Sequence, residues 1–160
     1  MKGKKDVIAK LNEALQEELT AINQYFVHAE MCHNWGYHRL GKYIREQSIG
    51  EMKHAEEILE RVLFLEGMPA MKPLPLSIGQ DVKSQLQKDL ELELKAVGMY
   101  NESVKVAREA GVHTSSELFE RLLKDEEEHV DFLETQLHLV NELGYERYLT
   151  QQLESDDKKD

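Results

Sequence analysis

The sequence predicts an all-α protein: a four-helix bundle with a short fifth helix at the C-terminus. Long stretches are rich in Leu, Glu, Lys, Gln and Ala, which favour helices, and they lack the alternation of polar and apolar residues that is typical of strands. All three prolines, Pro69, Pro73 and Pro75, fall in one short segment, which predicts a single irregular connector. Two long helices are therefore expected on each side of that connector.

Glycines set the predicted ends of the helices, because glycine suits a helix C-terminus and proline cannot continue a helix. Breaks are expected near Gly36, at Gly67 with the prolines, near Gly111 and at Gly144. The five helices are predicted at residues 5–34, 38–66, 81–110, 115–143 and 146–154.

Composition limits the possible functions. The chain of 160 residues carries 31 acidic and 20 basic side chains, and a net charge of −11 argues against nucleic acid or an anionic membrane as a partner. No apolar run is long enough to span a bilayer, and no apolar stretch follows the basic start of the chain, so a cytoplasmic location is expected. With one cysteine, Cys32, a metal must be held by oxygen and nitrogen. Residues 1–154 are expected to form one domain and 155–160 a solvated tail.

A faint internal repeat relates the two halves of the chain. Shifted by 75 residues, the segment Asp6–Tyr25 matches Asp81–Tyr100 at eight of twenty positions, including Glu18 with Glu93 and Tyr25 with Tyr100. The same shift places Glu51 on Glu126 and His54 on His129. The repeat predicts two helical hairpins of similar design, joined by the proline connector.

Polar residues interrupt the apolar faces of all four long helices. Helices one and three each place a glutamate there, and helices two and four each place a glutamate one turn before a histidine. Residues equally far from a hairpin turn lie level with one another, so these side chains should converge near mid-bundle. They are Glu18, Glu51, His54, Glu93, Glu126 and His129.

Four carboxylates in an apolar interior repel one another and lose hydration unless cations join them, and two divalent cations would cancel their charge. Oxygen donors with one imidazole for each metal suit iron or manganese, and this ligand set is typical of ferritin-like di-iron bundles. The competing interpretation is a set of buried ion pairs or solvated faces.

The chain also resembles a known family, the bacterioferritins, over about residues 1–154. The resemblance rests on several segments: the opening MKG, ELTAINQYF at 18–26, NWG at 34–36, EMKHA at 51–55, LFLEG at 63–67 and DEEEH at 125–129.

The resemblance implies a ferroxidase centre in which Glu18 and His54 bind one iron, Glu93 and His129 bind the other, and Glu51 and Glu126 bridge them. Tyr25 would lie close by and supply an electron.

The same resemblance implies a long crossover after the second helix and a hollow shell of 24 identical chains. Met52, together with its mate from a twofold-related chain, would ligate a haem b at the dimer interface. From the residues alone, Met52 is more typical of packing at a surface or interface. A small ferredoxin would deliver the electrons that release stored iron.

The chain departs from the family pattern at three positions. Many bacterioferritins have His and Asp, linked to a further iron site on the inner surface, where this chain has Glu46 and Gly50. Gln47 replaces a frequent glutamate near the metal entrance. These departures put the inner-surface site in doubt.

The functional hypothesis is an iron-storage ferroxidase that oxidises Fe(II) with O₂ or H₂O₂ and stores the ferric product. One alternative is a di-metal enzyme, either a rubrerythrin-like peroxidase, against which the absence of a Cys-x-x-Cys module argues, or a manganese catalase. A haem electron-transfer bundle and an acidic helical scaffold are further alternatives.

Overall fold

A computed structural model describes residues 1–153, and the predicted tail at 155–160 lies outside that range. The all-α architecture is confirmed. The helices are α1 (Lys5–Asn34), α2 (His38–Phe64), α3 (Val82–Glu109), α4 (His113–Leu143) and α5 (Tyr145–Thr150). The predicted ends fall within two residues of these except at the C-terminus of α5, which is shorter than expected because residues 151–152 close it with tight turns. No helix in the described range is long and apolar enough to cross a membrane.

The turns within the two hairpins are closed in the same way. Gly36 and Gly111 have left-handed φ angles of 90° and 72°, which side chains with a Cβ rarely adopt. At each turn, the amide after the glycine donates to the carbonyl five residues earlier, at 2.9 Å. The two glycines are 75 residues apart, as the repeat predicts.

The end of α2 differs in detail from the expectation. Glu66, not Gly67, takes the left-handed conformation, with a φ of 59°. A Cβ at Gly67 would lie 2.8 Å from the side chain of Ile8 and 3.0 Å from that of Val62. Glycine is needed at position 67 because the chain passes so closely over α1 and α2.

The connector between α2 and α3 runs along α1. Four side chains of α1, spaced over about 24 Å of helix, form hydrogen bonds with the backbone of the connector in the order of the sequence. These contacts are Asn12 with Met68 and Ala70, Thr20 with Leu74, Gln24 with Ser77, and His28 with Gly79. The chain thus returns to the opposite end of the bundle before α3 begins, which confirms the long crossover.

A buried polar cluster fixes the far end of the connector. The backbone amide of Gly79 donates to Nε2 of His28 at 3.0 Å, so the ring proton is on Nδ1, which lies 2.9 Å from Asp89. The side-chain amide of Gln24 donates to the same carboxylate at 2.9 Å. His28 and Asp89 are buried, and together they join the connector, α1 and α3.

Two apolar clusters fill the bundle, one toward each end. Along α1, Leu15 belongs to one cluster and Ala21 to the other, while along α4 Leu122 and Leu133 are divided in the same way. The predicted ligands occupy the level between the clusters. The apolar packing therefore positions the polar layer from both sides.

Replacing Asp89 by Ala should lower the free energy of unfolding by about 1–3 kcal/mol, because the buried donors of His28 and Gln24 would lose their acceptor. Glu91→Ala, an exposed change on the same helix, serves as the control. Thermal and urea unfolding would measure the difference, and equal stabilities for the two variants would contradict this role of Asp89.

Candidate metal centre

The structure brings all six predicted ligands together in the interior. Glu18 comes from α1, Glu93 from α3, and each of α2 and α4 contributes a glutamate and a histidine one turn apart. The four carboxylates are each at most 2% exposed. Helical spacing places the donors of each hairpin at one level, and the packing of the two hairpins brings the two sets of donors together.

The donors form two overlapping groups, in each of which the ligating atoms lie within 4.8 Å of one another. One group is Glu18, Glu51, His54 and Glu126, and the other is Glu51, Glu93, Glu126 and His129. The two groups share Glu51 and Glu126. Two adjacent cations with two bridging carboxylates fit this arrangement.

The histidine nitrogens face the shared carboxylates from opposite sides. Nδ1 of His54 lies 2.9 Å from Glu51 and 3.1 Å from Glu126. Nδ1 of His129 lies 2.9 Å from Glu51 and 3.3 Å from Glu126. Each imidazole is therefore placed to bind a different cation.

Several donor atoms lack hydrogen-bond partners although they are buried. Among the described residues, the buried atoms without a partner of good hydrogen-bond geometry are one carboxylate oxygen each of Glu17, Glu51 and Glu93, and Nδ1 of His129. An unsatisfied buried polar atom costs about 1–3 kcal/mol. Three of these four atoms belong to the predicted ligands, and two of the three, Oε1 of Glu51 and Nδ1 of His129, lie 2.9 Å apart. The donor set therefore fits a pair of divalent metals such as iron or manganese.

The electrostatics also favour cations at this level. Burial, reinforced by the neighbouring charge of Glu18, raises the pKa of Glu51 to about 8. Burial and Glu126 raise the pKa of Glu93 well above its usual value. In Glu18, hydrogen bonds to Glu51 and His54 outweigh burial and lower the pKa.

For the two histidines, the neighbouring carboxylates outweigh the effect of burial on the pKa. Burial would lower their pKa values, but close polar contacts with the surrounding carboxylates, Glu126 foremost, raise the pKa of both His54 and His129. Without metal, the site therefore keeps protons that offset the carboxylate charge. Metal binding must displace those protons.

Two tyrosines support the carboxylates that belong to only one group. Tyr25 donates to Glu93, and Tyr100 donates to Glu18. Burial and the neighbouring carboxylates raise the pKa of both phenols well above 10, so both keep their protons. The family resemblance implied Tyr25 as a site residue but not Tyr100, although the repeat pairs the two positions.

A second residue that the sequence argument missed is Asp125, whose carboxylate lies 3.0 Å from Nε2 of His54. The only available signal was its position in the acidic run before His129.

Three other positions from the sequence argument lie outside the ligand set. Met52 is 53% exposed on α2 and does not face the buried centre. Gln47 lines a narrow cavity beside His129, together with Tyr25, Tyr43 and Asp89. Glu46 is exposed.

The fold and the site define the class: a four-helix carboxylate protein with a buried di-metal site. The family model described as the ferritin-like domain matches residues 8–143 of this chain. The bacterioferritin of Brucella melitensis is 48% identical over 149 residues, with 92% of each chain covered.

Two solved structures are similar throughout. The Mycobacterium tuberculosis bacterioferritin BfrA has a TM-score of 0.94 and 44% identity, covering 96% of this chain and 98% of its own. The Rhodobacter capsulatus bacterioferritin has a TM-score of 0.95 and 44% identity, covering 99% and 100%. The latter structure is described as having a metal-free dinuclear site and a haem iron in a crystallographic special position.

The chain belongs to the bacterioferritins. It is an iron-storage protein with ferroxidase activity, it binds iron and it forms an oligomer.

The metal-free protein should lose stability as the pH rises from about 5 to about 8. Glu51 has its pKa raised from 4.5 to about 8 by burial, so the folded state binds more protons than the unfolded state in this interval. The raised pKa values of His54 and His129 act in the same direction above about 6.5. Thermal melting of the metal-free protein as a function of pH would measure the slope.

Saturation with Co(II) should flatten this slope, because the cation replaces the protons. Glu51→Gln should reduce the slope of the metal-free protein, since its amide does not titrate. A melting temperature that rises steadily over the same pH range would contradict this description of the site.

Proposed function

We propose that Glu18 and His54 bind one Fe(II), that Glu93 and His129 bind the other, and that Glu51 and Glu126 bridge the two. The observation that carries this assignment is the overlap of the two donor groups at those two bridging glutamates. Four carboxylates balance the charge of two divalent ions. One imidazole for each ion supplies the nitrogen donor.

Iron is the substrate at this centre. Oxidation of two Fe(II) to Fe(III) releases two electrons, which is the number required to reduce O₂ to peroxide or H₂O₂ to water. The protein positions the pair, excludes bulk water with the apolar clusters, and holds Glu18 and Glu93 in place through the tyrosine hydroxyls. Tyr25 also lies close enough to the centre to supply a further electron.

After oxidation, the ferric product hydrolyses and collects as mineral. We place that mineral in a hollow shell of 24 copies of the chain, in the cytoplasm, and propose a small ferredoxin as the reductant for its release. Support for the shell comes from family membership and from the coverage of complete bacterioferritin chains.

A haem b is the proposed cofactor, and Met52 would help to hold it. The thioether is a soft donor on the exposed face of α2, one turn from the exposed Ile49. One methionine from each of two chains would complete a symmetric pair of ligands. The Rhodobacter capsulatus haem iron on a crystallographic special position is consistent with a group shared by symmetry-related chains.

Glu18→Ala and His54→Ala should each slow Fe(II) oxidation by at least about a hundredfold, more than the loss of a supporting residue around a metal usually costs. Glu56→Ala, an exposed change on α2, is the control. Stopped-flow absorbance would measure the rate, and gel filtration would show that assembly is retained.

Iron retained after aerobic loading distinguishes storage from catalysis alone. Tens of irons per chain on a large particle are expected, whereas roughly two per chain, the capacity of the buried pair, would indicate a di-metal enzyme without storage. Unchanged oxidation rates in both ligand variants would overturn the assignment.

Met52→Leu should abolish haem binding and leave the rate of Fe(II) oxidation unchanged, because Met52 does not belong to the buried donor groups. Met71→Leu, at an exposed methionine of the connector, is the matched control. The haem absorption of protein reconstituted with haem b would be compared for the three proteins. Equal haem content in all three would rule out Met52 as a ligand.

A further inference from the structure

The ring of His54 is held from two sides. Its Nδ1 faces the shared carboxylates in the interior, and its Nε2 lies 3.0 Å from Oδ2 of Asp125 on α4. A histidine that binds a metal through one nitrogen usually donates a hydrogen bond from the other to a carboxylate or carbonyl, which fixes the ring and increases its basicity. Asp125 supplies that acceptor for His54.

His129 faces the interior in the same way, but residues 1–153 provide no equivalent acceptor for it. Its Nδ1 lies 2.9 Å from Glu51, whereas no carboxylate contacts its Nε2 among the residues that the structure describes. The side chain of His129 is 17% exposed, compared with 9% for His54. The ring of His129 is therefore less constrained.

The internal repeat explains the difference. Asp125 lies four residues before His129 on α4 and reaches across to His54 on α2. The 75-residue shift places Gly50 opposite Asp125, four residues before His54, where a side chain could reach across to His129. Position 50 has no side chain to do so, and a Cβ built there meets nothing within 4 Å.

We propose that this asymmetry makes the two metal positions unequal. Asp125 is a positioning residue that increases the metal affinity of the position formed by Glu18 and His54. Because Gly50 supplies no such side chain, the position formed by Glu93 and His129 has a lower metal affinity. The first position fills first and keeps its metal, and the second exchanges metal more readily. This inference rests on the proposed function of the six ligands.

Co(II) titration of the intact metal-free assembly tests the proposal without turnover. Calorimetry and the visible spectrum of bound Co(II) should show two binding steps per chain in the parent protein. Asp125→Ala should weaken the tighter step by about 10- to 100-fold and leave the weaker step in place. Asp125→Asn, which keeps an oxygen acceptor without the charge, should recover part of the loss.

Gly50→Asp should increase the Co(II) affinity of the weaker step by a comparable factor, because the open space around position 50 can hold the new side chain. Gly50→Asn adds the acceptor without a charge and should produce a smaller gain. The matched controls are Gly98→Asp, at a mid-helix glycine of α3 with equally open surroundings, and Asp131→Ala, at an exposed aspartate of α4. Neither control should change the difference between the two steps.

The outcomes separate the two proposals. Two steps of equal affinity in the parent protein, or an equal change of both steps in the Asp125 and Gly50 variants, would overturn the asymmetry while leaving the di-metal centre in place. Failure of the parent protein to bind two Co(II) per chain would overturn the ligand assignment itself.

Discussion

The structure depends on one electrostatic constraint: four glutamates are buried at one level of an apolar bundle. Their mutual repulsion and lost hydration are unfavourable unless positive charge joins them. Protons on the glutamates and histidines offset the charge in the absence of metal, and divalent cations can replace them. The carboxylate layer thus destabilises the metal-free fold, and the same negative charge is the basis of its affinity for iron.

The rest of the bundle maintains that layer. Apolar clusters above and below exclude water, while Tyr25 and Tyr100 hold the two outer carboxylates. The crossover is bonded along α1 and fixed by His28 and Asp89, so α3 begins at the end of the bundle where α1 finishes. This path sets the level of Glu93 against that of Glu18. The same interactions therefore determine the topology and the ligand geometry.

The internal repeat gives the site approximate twofold symmetry, which holds better for some residues than for others. The six candidate ligands and the two tyrosines follow it closely. Asp125 and Gly50 break it, because only one of the two positions carries a carboxylate. Two metal positions with similar ligands can thus differ through the residues around them, and in a storage protein such a difference suits one position that retains iron and another that passes it on.

The sequence by itself determined the helices, the hairpin turns and which six residues are candidate metal ligands, because helical periodicity and distance from a turn are local properties that residue spacing reports directly. Tertiary structure decided the path of the crossover, the contact of Tyr100 with Glu18 and that of Asp125 with His54. Those features depend on which helices are neighbours and on which way side chains turn across the gap between them. Spacing along one helix carries no information about either, so an exposed aspartate in an acidic run could not be distinguished from a residue that supports a ligand.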